Sequence, residues 1–147
     1  MSRPTQMPIG LQLARVAKAV SRAFDDTLAA AGGSQPVWLV LLTLKRQQVA
    51  SQRELADAVG IQGATLTHHL NAMEADGLLT RRRDPDNRRM HLVELTAEGD
   101  ALFLRLRKAA GRFDERLRGE LPETELARLR RTLDRLAGNV GTPPAPW

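Results

Sequence analysis

The stretch that most restricts the fold of this chain runs from Ser51 to Leu79, "SQRELADAVGIQGATLTHHLNAMEADGLL". Ser51 and Glu54 are three residues apart, the spacing of a reciprocal capping box, so a helix opens here. It is short, 52–59, with Leu55, Ala56 and Val59 on one face, and Gly60 supplies the C-terminal turn. A second helix follows at once, at about 63–76, and stops at Gly77. Two short helices joined by a glycine-containing turn form the helix-turn-helix pattern.

The residues that follow change character. "TRRRDPDNRRMHL", residues 80–92, lies between "LLTRRR" and "RMHLVELT", two arms that favour extended backbone. Asp84-Pro85-Asp86-Asn87 between them is turn chemistry, so a two-stranded hairpin is predicted. Five arginines against two aspartates between Arg81 and His91 put +3 of the chain's formal +5 on this one segment. Asp84 and Asp86 are available to pair with Arg81–Arg83, but exposed pairs of that kind contribute little stability.

Four more helices surround this centre. Leu13, Val16, Val20, Phe24 and Leu28 recur at three- and four-residue steps in a helix that ends at Gly32-Gly33. Ser34 can cap the next, with Pro36 in its first turn, and Val37, Trp38, Val40, Leu41 and Leu44 make it largely buried. Thr96 can cap a long helix from 97 to about 118, striped by Leu102, Leu106, Ala110, Phe113 and Leu117. Pro122 begins the last, with Leu126, Leu129, Leu133 and Leu136 at helical spacing, before the tail "GTPPAPW", which is expected to fray. The apolar stripes of the end helices are wide for a small monomer. They either close a single core or form an interface between two copies, and dimerisation is the expectation, because DNA readers usually double their contacts that way.

The expected fold is therefore mainly α with a small β-hairpin. Residues 1–33 are assigned to an N-terminal dimerisation helix, 34–96 to the central lobe, and 97–147 to C-terminal dimerisation helices and tail.

Composition narrows the function. A chain of 147 residues suggests one domain of ordinary size. It has no cysteine, hence no disulfide, thiolate zinc site or thiol switch. No apolar run reaches signal-peptide or membrane-span length, so a cytoplasmic location and no membrane partner are expected. A pI near 10.9 favours a polyanionic partner. No Gly-rich phosphate loop, metal triad or nucleophile elbow is present, and with no cysteine or tyrosine the catalytic inventory is thin, so no enzyme and no cofactor are expected. His68 and His69 are adjacent, which points them about 100° apart on a helix, so they cannot easily share a metal.

The second helix of the pair has two unlike faces. At 100° per residue, Leu66, Leu70 and Met73 cluster on one side and are expected to be buried. Ala64, Thr65, His68, Asn71 and Ala72 fall roughly opposite. That face carries small and neutral polar groups and neither Glu nor Lys, which ordinary solvated faces have. It can approach a major groove closely and offer hydroxyl, imidazole and amide groups to base edges. His69 lies on the flank of the buried stripe, as a packing residue.

Residues 51–99, and most tellingly "TLTHHLNAMEADGLLTR" and "DPDNRRMHLVELTAEG", resemble the DNA-binding lobe of the MarR (multiple antibiotic resistance regulator) family. The flanking helices agree in number and order. The resemblance implies a winged helix-turn-helix homodimer whose chain ends interlock. The second helix of the motif would enter the major groove, and the hairpin, as a wing, the adjacent minor groove. By position, Gln62, Ala64, Thr65, Thr67, His68 and Asn71 would carry the recognition helix. Arg81, Arg83, Arg88 and Arg89 would serve the wing, with Arg88 or Arg89 near its tip. Two positions depart from the family: His68 stands where arginine is common, and Asn87 where an aspartate often braces the wing arginine, with Asp86 one residue early.

The expected partner is double-stranded DNA with a pseudo-palindromic operator, bound by a repressor. The resemblance also implies release by a small anionic aromatic or phenolic ligand near Trp38, with Arg15 and Arg22 on the first helix as its cations. Taken alone, Trp38 reads as core packing. A ligand-independent or architectural DNA-binding protein is the alternative.

Overall fold

A computed structural model describes residues 6–143. In chain order the elements are α1 (Ile9–Ala30), α2 (Gln35–Gln47), β1 (Val49–Ser51), α3 (Gln52–Val59), α4 (Gly63–Ala75), β2 (Leu79–Arg83), β3 (His91–Leu95), α5 (Ala97–Arg118) and α6 (Glu123–Asn139). They form two compact units, one running to Phe113 and the other starting at Asp114. The last four residues of the tail, Trp147 among them, lie outside the described residues.

The helix boundaries follow their caps. Ser34 Oγ accepts a hydrogen bond from the Val37 N–H at 3.3 Å and opens α2. In α3 both halves of the capping box form: the Glu54 N–H donates to Ser51 Oγ at 3.1 Å, and the Ser51 N–H to Glu54 Oε1 at 3.4 Å. Gly60 then takes φ 73°, a left-handed conformation that costs glycine little, and turns the chain into α4.

The core of the first unit gathers one face from every element in it. Leu66, Leu70 and Met73 of α4 are buried at 1%, 0% and 2% exposure, as the helical angles predict. They join Leu55 of α3, Leu41 and Leu44 of α2, Leu79 and Val93 of the sheet, and Leu102 and Leu106 of α5 in one apolar cluster. Each fully buried leucine contributes on the order of 1.5–3 kcal/mol of transfer free energy. That cluster holds α4 and the hairpin on the same body.

Two features depart from the sequence reading. The hairpin is two strands of a three-stranded antiparallel sheet of order β1-β3-β2. β1 pairs with the central strand through Val49–Glu94, Ala50–Val93 and Ser51–Leu92. Its three residues run from the end of α2 to Ser51, which also caps α3, too short for an alternating pattern to show. The buried face of α5 keeps the predicted Leu102 and Leu106 but is broader than the stripe and ends before Leu117. Leu102, Phe103, Leu106 and Ala109 are buried, Ala110 and Phe113 half-buried, and Leu117 exposed. Phe103 stacks on Trp38 of α2, ring centroids 5.5 Å apart and 11° between planes, which draws the packed side of α5 toward α2.

The N-terminus of α5 is set by a close approach. Gly99 is buried, and a methyl group there would run into the carbonyl oxygen of Leu78. The Thr96 N–H donates to that same oxygen at 3.1 Å, and Thr96 Oγ1 accepts from the Gly99 N–H at 3.1 Å. The start of α5 is thereby stitched to the start of β2.

Candidate nucleic-acid interface

On α4, Ala64, Thr65, His68, Asn71 and Ala72 are all exposed, on the side opposite the buried Leu66, Leu70 and Met73. Gln62 is exposed at the N-cap and its side chain makes no capping bond, so its amide is available. Thr67 is half-buried, and its hydroxyl donates to the Gly63 carbonyl at 2.9 Å. The His68 and His69 rings meet edge-on with centroids 6.0 Å apart, His68 exposed and His69 half-buried.

The wing follows from strand periodicity. β2 and β3 pair from Leu79–Leu95 to Arg83–His91. Alternation puts Leu79, Arg81 and Arg83 on one face. Leu79 is buried, so Arg81 is aimed back at α4 rather than away from it. Its Nη2 donates to Glu74 Oε1 at 3.0 Å and to Asn71 Oδ1 at 2.6 Å, while its backbone N–H donates to Glu74 Oε2 at 3.1 Å. Only 17% of the Arg81 side chain is exposed. The hydrogen bond from the Arg81 side chain is the main reason that the Glu74 carboxyl is held below its ordinary value, with burial opposing it. Arg81 and Asn71, both expected at the DNA, are thus joined to each other, and the recognition helix and the wing are tied by one arginine.

The rest of the wing is differently occupied. Arg83 is exposed at the end of β2, and Arg88 and Arg89 lie in the loop between the strands, exposed. The loop closes through the Asp84 N–H to Met90 O at 2.8 Å and the Met90 N–H to Asn87 O at 2.9 Å. Asp84 accepts from the Asp86 N–H at 2.9 Å and Asn87 Oδ1 from the Arg89 N–H at 3.3 Å. The acids of the turn therefore shape its backbone. The local pairing with Arg81–Arg83 that was open to them is not the one Arg81 makes, since Arg81 takes Glu74 instead.

Between α4 and the wing lies a cleft of about 510 Å³ lined by Ser51, Gln52, Arg53, Thr67, Arg81, Arg89, Met90 and His91. Arg53, in the first turn of α3, and His91 were not singled out from the sequence. Position was the available signal: Arg53 sits two residues after the capping serine, where the first helix of the motif begins. Glu74 was missed as well, because its partner is seven residues away across the turn at Gly77.

At the proposed ligand position, Trp38 is half-buried with Phe103 as its stacking partner, and Lys45 Nζ sits 5.5 Å from the Phe103 ring centroid. Lys45 also pairs with Asp100 at 2.9 Å. Arg15 and Arg22 are exposed on α1, on one shared side about 120–140° from Leu28. Among the described residues, the ring partner of Trp38 is Phe103, and neither arginine forms an ion pair.

A capped helix pair, an acid-free outer face on its second helix, and an arginine-tipped sheet beside it define a winged helix-turn-helix DNA-binding regulator. The MarR family model matches residues 34–91. The chain is 31% identical over 129 residues to the uncharacterized HTH-type transcriptional regulator YdgJ of Bacillus subtilis (strain 168), spanning 88% of this chain and 77% of that protein. It superposes on the transcriptional repressor CouR bound to a 23-mer DNA duplex with a TM-score of 0.80 at 30% identity, covering 88% of this chain and 92% of CouR. CouR from Rhodococcus jostii RHA1 bound to p-coumaroyl-CoA gives a TM-score of 0.76 at 25% identity, over 92% and 96% of the two chains. The chain belongs to the MarR family of transcriptional regulators. Among the described residues, no single helix is long and apolar enough to cross a membrane.

Proposed function

We propose that this regulator is a repressor that binds a pseudo-palindromic operator as a homodimer in the cytoplasm and releases it when a small aromatic anion binds. The observation that carries the DNA half is the exposed Ala64–Thr65–His68 surface of α4, free of acidic groups and flanked by the exposed arginines of the wing. Gln62, Thr65, Thr67 and His68 read base edges, while Arg83, Arg88 and Arg89 meet phosphates and the minor groove, where a narrow groove concentrates negative potential. CouR, similar over most of its length, is described as a repressor on DNA.

The dimer rests on apolar residues that the single chain leaves in water. Ile9, Leu11 and Val16 of α1 are 65%, 53% and 53% exposed. Within the second unit Leu129 and Leu133 are 48% and 40% exposed. The interface accordingly falls within residues 1–33 and 97–147, on these apolar positions, and 34–96 form the DNA lobe. Two recognition helices would then meet half-sites about 10 base pairs apart. A chain that stays monomeric at micromolar concentration by light scattering overturns the dimer. Footprinting that finds no preference over random DNA selects the architectural reading.

For the ligand, the stacked Trp38–Phe103 pair offers an aromatic face on the helix that leads into the lobe, and CouR is described with an aromatic acyl thioester bound. Release requires that the ligand favour the DNA-incompetent conformation, with a coupling of typically about 1–3 kcal/mol. The chain has two tryptophans, so Trp147→Phe leaves Trp38 as sole indole reporter. Benzoates and cinnamates titrated against its fluorescence and against operator binding should move both. If neither signal responds, the pocket is wrong; a fluorescence change with no effect on DNA affinity means that the protein binds DNA independently of the ligand.

A further inference from the structure

Away from the DNA lobe, the last turns of α1 and the middle of α5 flank a second, open cleft, of about 480 Å³, lined by Thr27, Ala30, Ala31, Arg105, Lys108, Ala109 and Arg112. We propose that this cleft binds a small polyanion, a ligand bearing two or more phosphate or carboxylate groups.

The helix places the cations. Residues 105, 108 and 112 are three and four apart, so Arg105, Lys108 and Arg112 share one side of α5. The other lining residues are small, which leaves the cleft open: Ala109 on α5 is buried, and Thr27, Ala30 and Ala31 line the side of α1. Lys108 and Arg112 are an i,i+4 pair of like charge, which is unfavourable in an unliganded helix. An anion in the cleft relieves that repulsion.

Among the described residues, the three cations also form no ion pair. Between Asp100 and Asp114 the helix has no acidic residue, while residues 105–112 carry Arg105, Arg107, Lys108 and Arg112. Lys45 pairs with Asp100 and Arg81 with Glu74 in the first unit, whereas Arg105, Lys108 and Arg112 are in neither pair. Asp26, one helical turn back from Ala30, makes no ion pair with them either. Three cations around a single monoanion would leave charge in excess. A diphosphate or polycarboxylate matches them, and guanidinium groups bind phosphate oxygens in pairs.

The cleft is separate from the DNA face and from the Trp38–Phe103 stack. At 100° per residue, positions 108 and 112 lie about 140° and 180° around α5 from Phe103, so the cations point away from the Trp38–Phe103 stack. None of its lining residues belongs to α4 or the wing. A concave, nucleotide-sized site suits a small ligand better than a DNA backbone.

Full-length protein would be titrated with pyrophosphate by calorimetry, with benzoate in parallel. Pyrophosphate should bind once per chain and benzoate should not compete. Arg105→Gln, Lys108→Gln and Arg112→Gln should each weaken pyrophosphate binding by about tenfold or more, as loss of a charge-assisted hydrogen bond does. Ala30→Glu, which puts a carboxylate into the cleft without touching a cation, should abolish binding and leave the helical spectrum unchanged. The double variant Arg88→Gln/Arg89→Gln should bind pyrophosphate like the parent. The proposal is overturned by absence of pyrophosphate binding to the parent protein, or by unchanged binding in the α5 variants. It is overturned equally if the wing variant alone loses binding, which would put the anion on the DNA face. Loss of operator binding with retained pyrophosphate binding in the α5 variants would make the cleft a DNA contact instead.

Discussion

Removing the Arg81 side chain separates two roles that look alike in a run of arginines. The structure gives Arg81 two side-chain hydrogen bonds and one backbone hydrogen bond, all to α4, with 17% of its side chain exposed. Arg89 is exposed and its side chain makes no ion pair among the described residues. Each phosphate contact contributes about 0.9 to the slope of log affinity against log salt, so an arginine lost from both wings of a dimer lowers the slope by about 1.8. Arg89→Ala is expected to show that drop. Arg81→Ala should lower operator affinity at every salt concentration and leave the slope near the parent's, because what it loses is the fixed angle between α4 and the wing. Glu74→Gln supplies an opposite-sign test. Taking a negative charge away from a DNA-binding face should tighten binding on electrostatics alone. If Glu74 holds Arg81 in place, binding weakens instead. The double variant should then be no worse than Arg81→Ala, since both changes break the same link. The assay is fluorescence anisotropy of a labelled operator, selected from random DNA, across a potassium chloride series. A slope reduction for Arg81→Ala as large as that for Arg89→Ala, or tighter binding by Glu74→Gln, would show that Arg81 meets phosphate directly instead of bracing the wing.

Other outcomes follow from the same geometry. Thr65→Ala and His68→Ala should cost about 1–3 kcal/mol on operator and less on random DNA; equal losses on both would remove the residue from base reading. Gly99→Ala must displace α5 from the Leu78 carbonyl, and should destabilise the fold by about 1–3 kcal/mol in urea unfolding; unchanged stability would contradict the close approach. Glu74 has an ordinary value of 4.5 and is lowered in the folded protein, so its contribution is present above that value and fades as pH falls through the lowered one. Acid unfolding followed by circular dichroism should accordingly show less pH dependence in that window for Glu74→Gln, and an identical acid limb would show that the link does not matter to stability.

What the sequence disclosed, and what it hid, divides along the range of the interactions. The capping box, the left-handed turn at Gly60 and the inward side of α4 depend on residues within about one or two turns of each other, and all three are legible at helical spacing. The role of Arg81 is not, because charge patterning alone cannot say whether an arginine faces a phosphate or a carboxylate on a neighbouring element. Only the burial of Leu79, two residues earlier on the same strand face, fixes its direction. The strand β1 escaped for the opposite reason: its three residues have no periodicity of their own and are extended because β3 offers an unpaired edge. The stripe of α5 was legible at Leu102 and Leu106 but its width was not, since Leu104, exposed at 53%, and Phe103, buried, are equally apolar neighbours. What separates them is a partner, the Trp38 ring, and no one-dimensional pattern contains it. The same logic bears on α1. Leu13 and Val16 continue the spacing of Phe24 and Leu28 without interruption, yet within one chain only Leu28 is buried. A stripe that keeps its period after its intramolecular partner has run out is consistent with selection for a partner supplied by another chain.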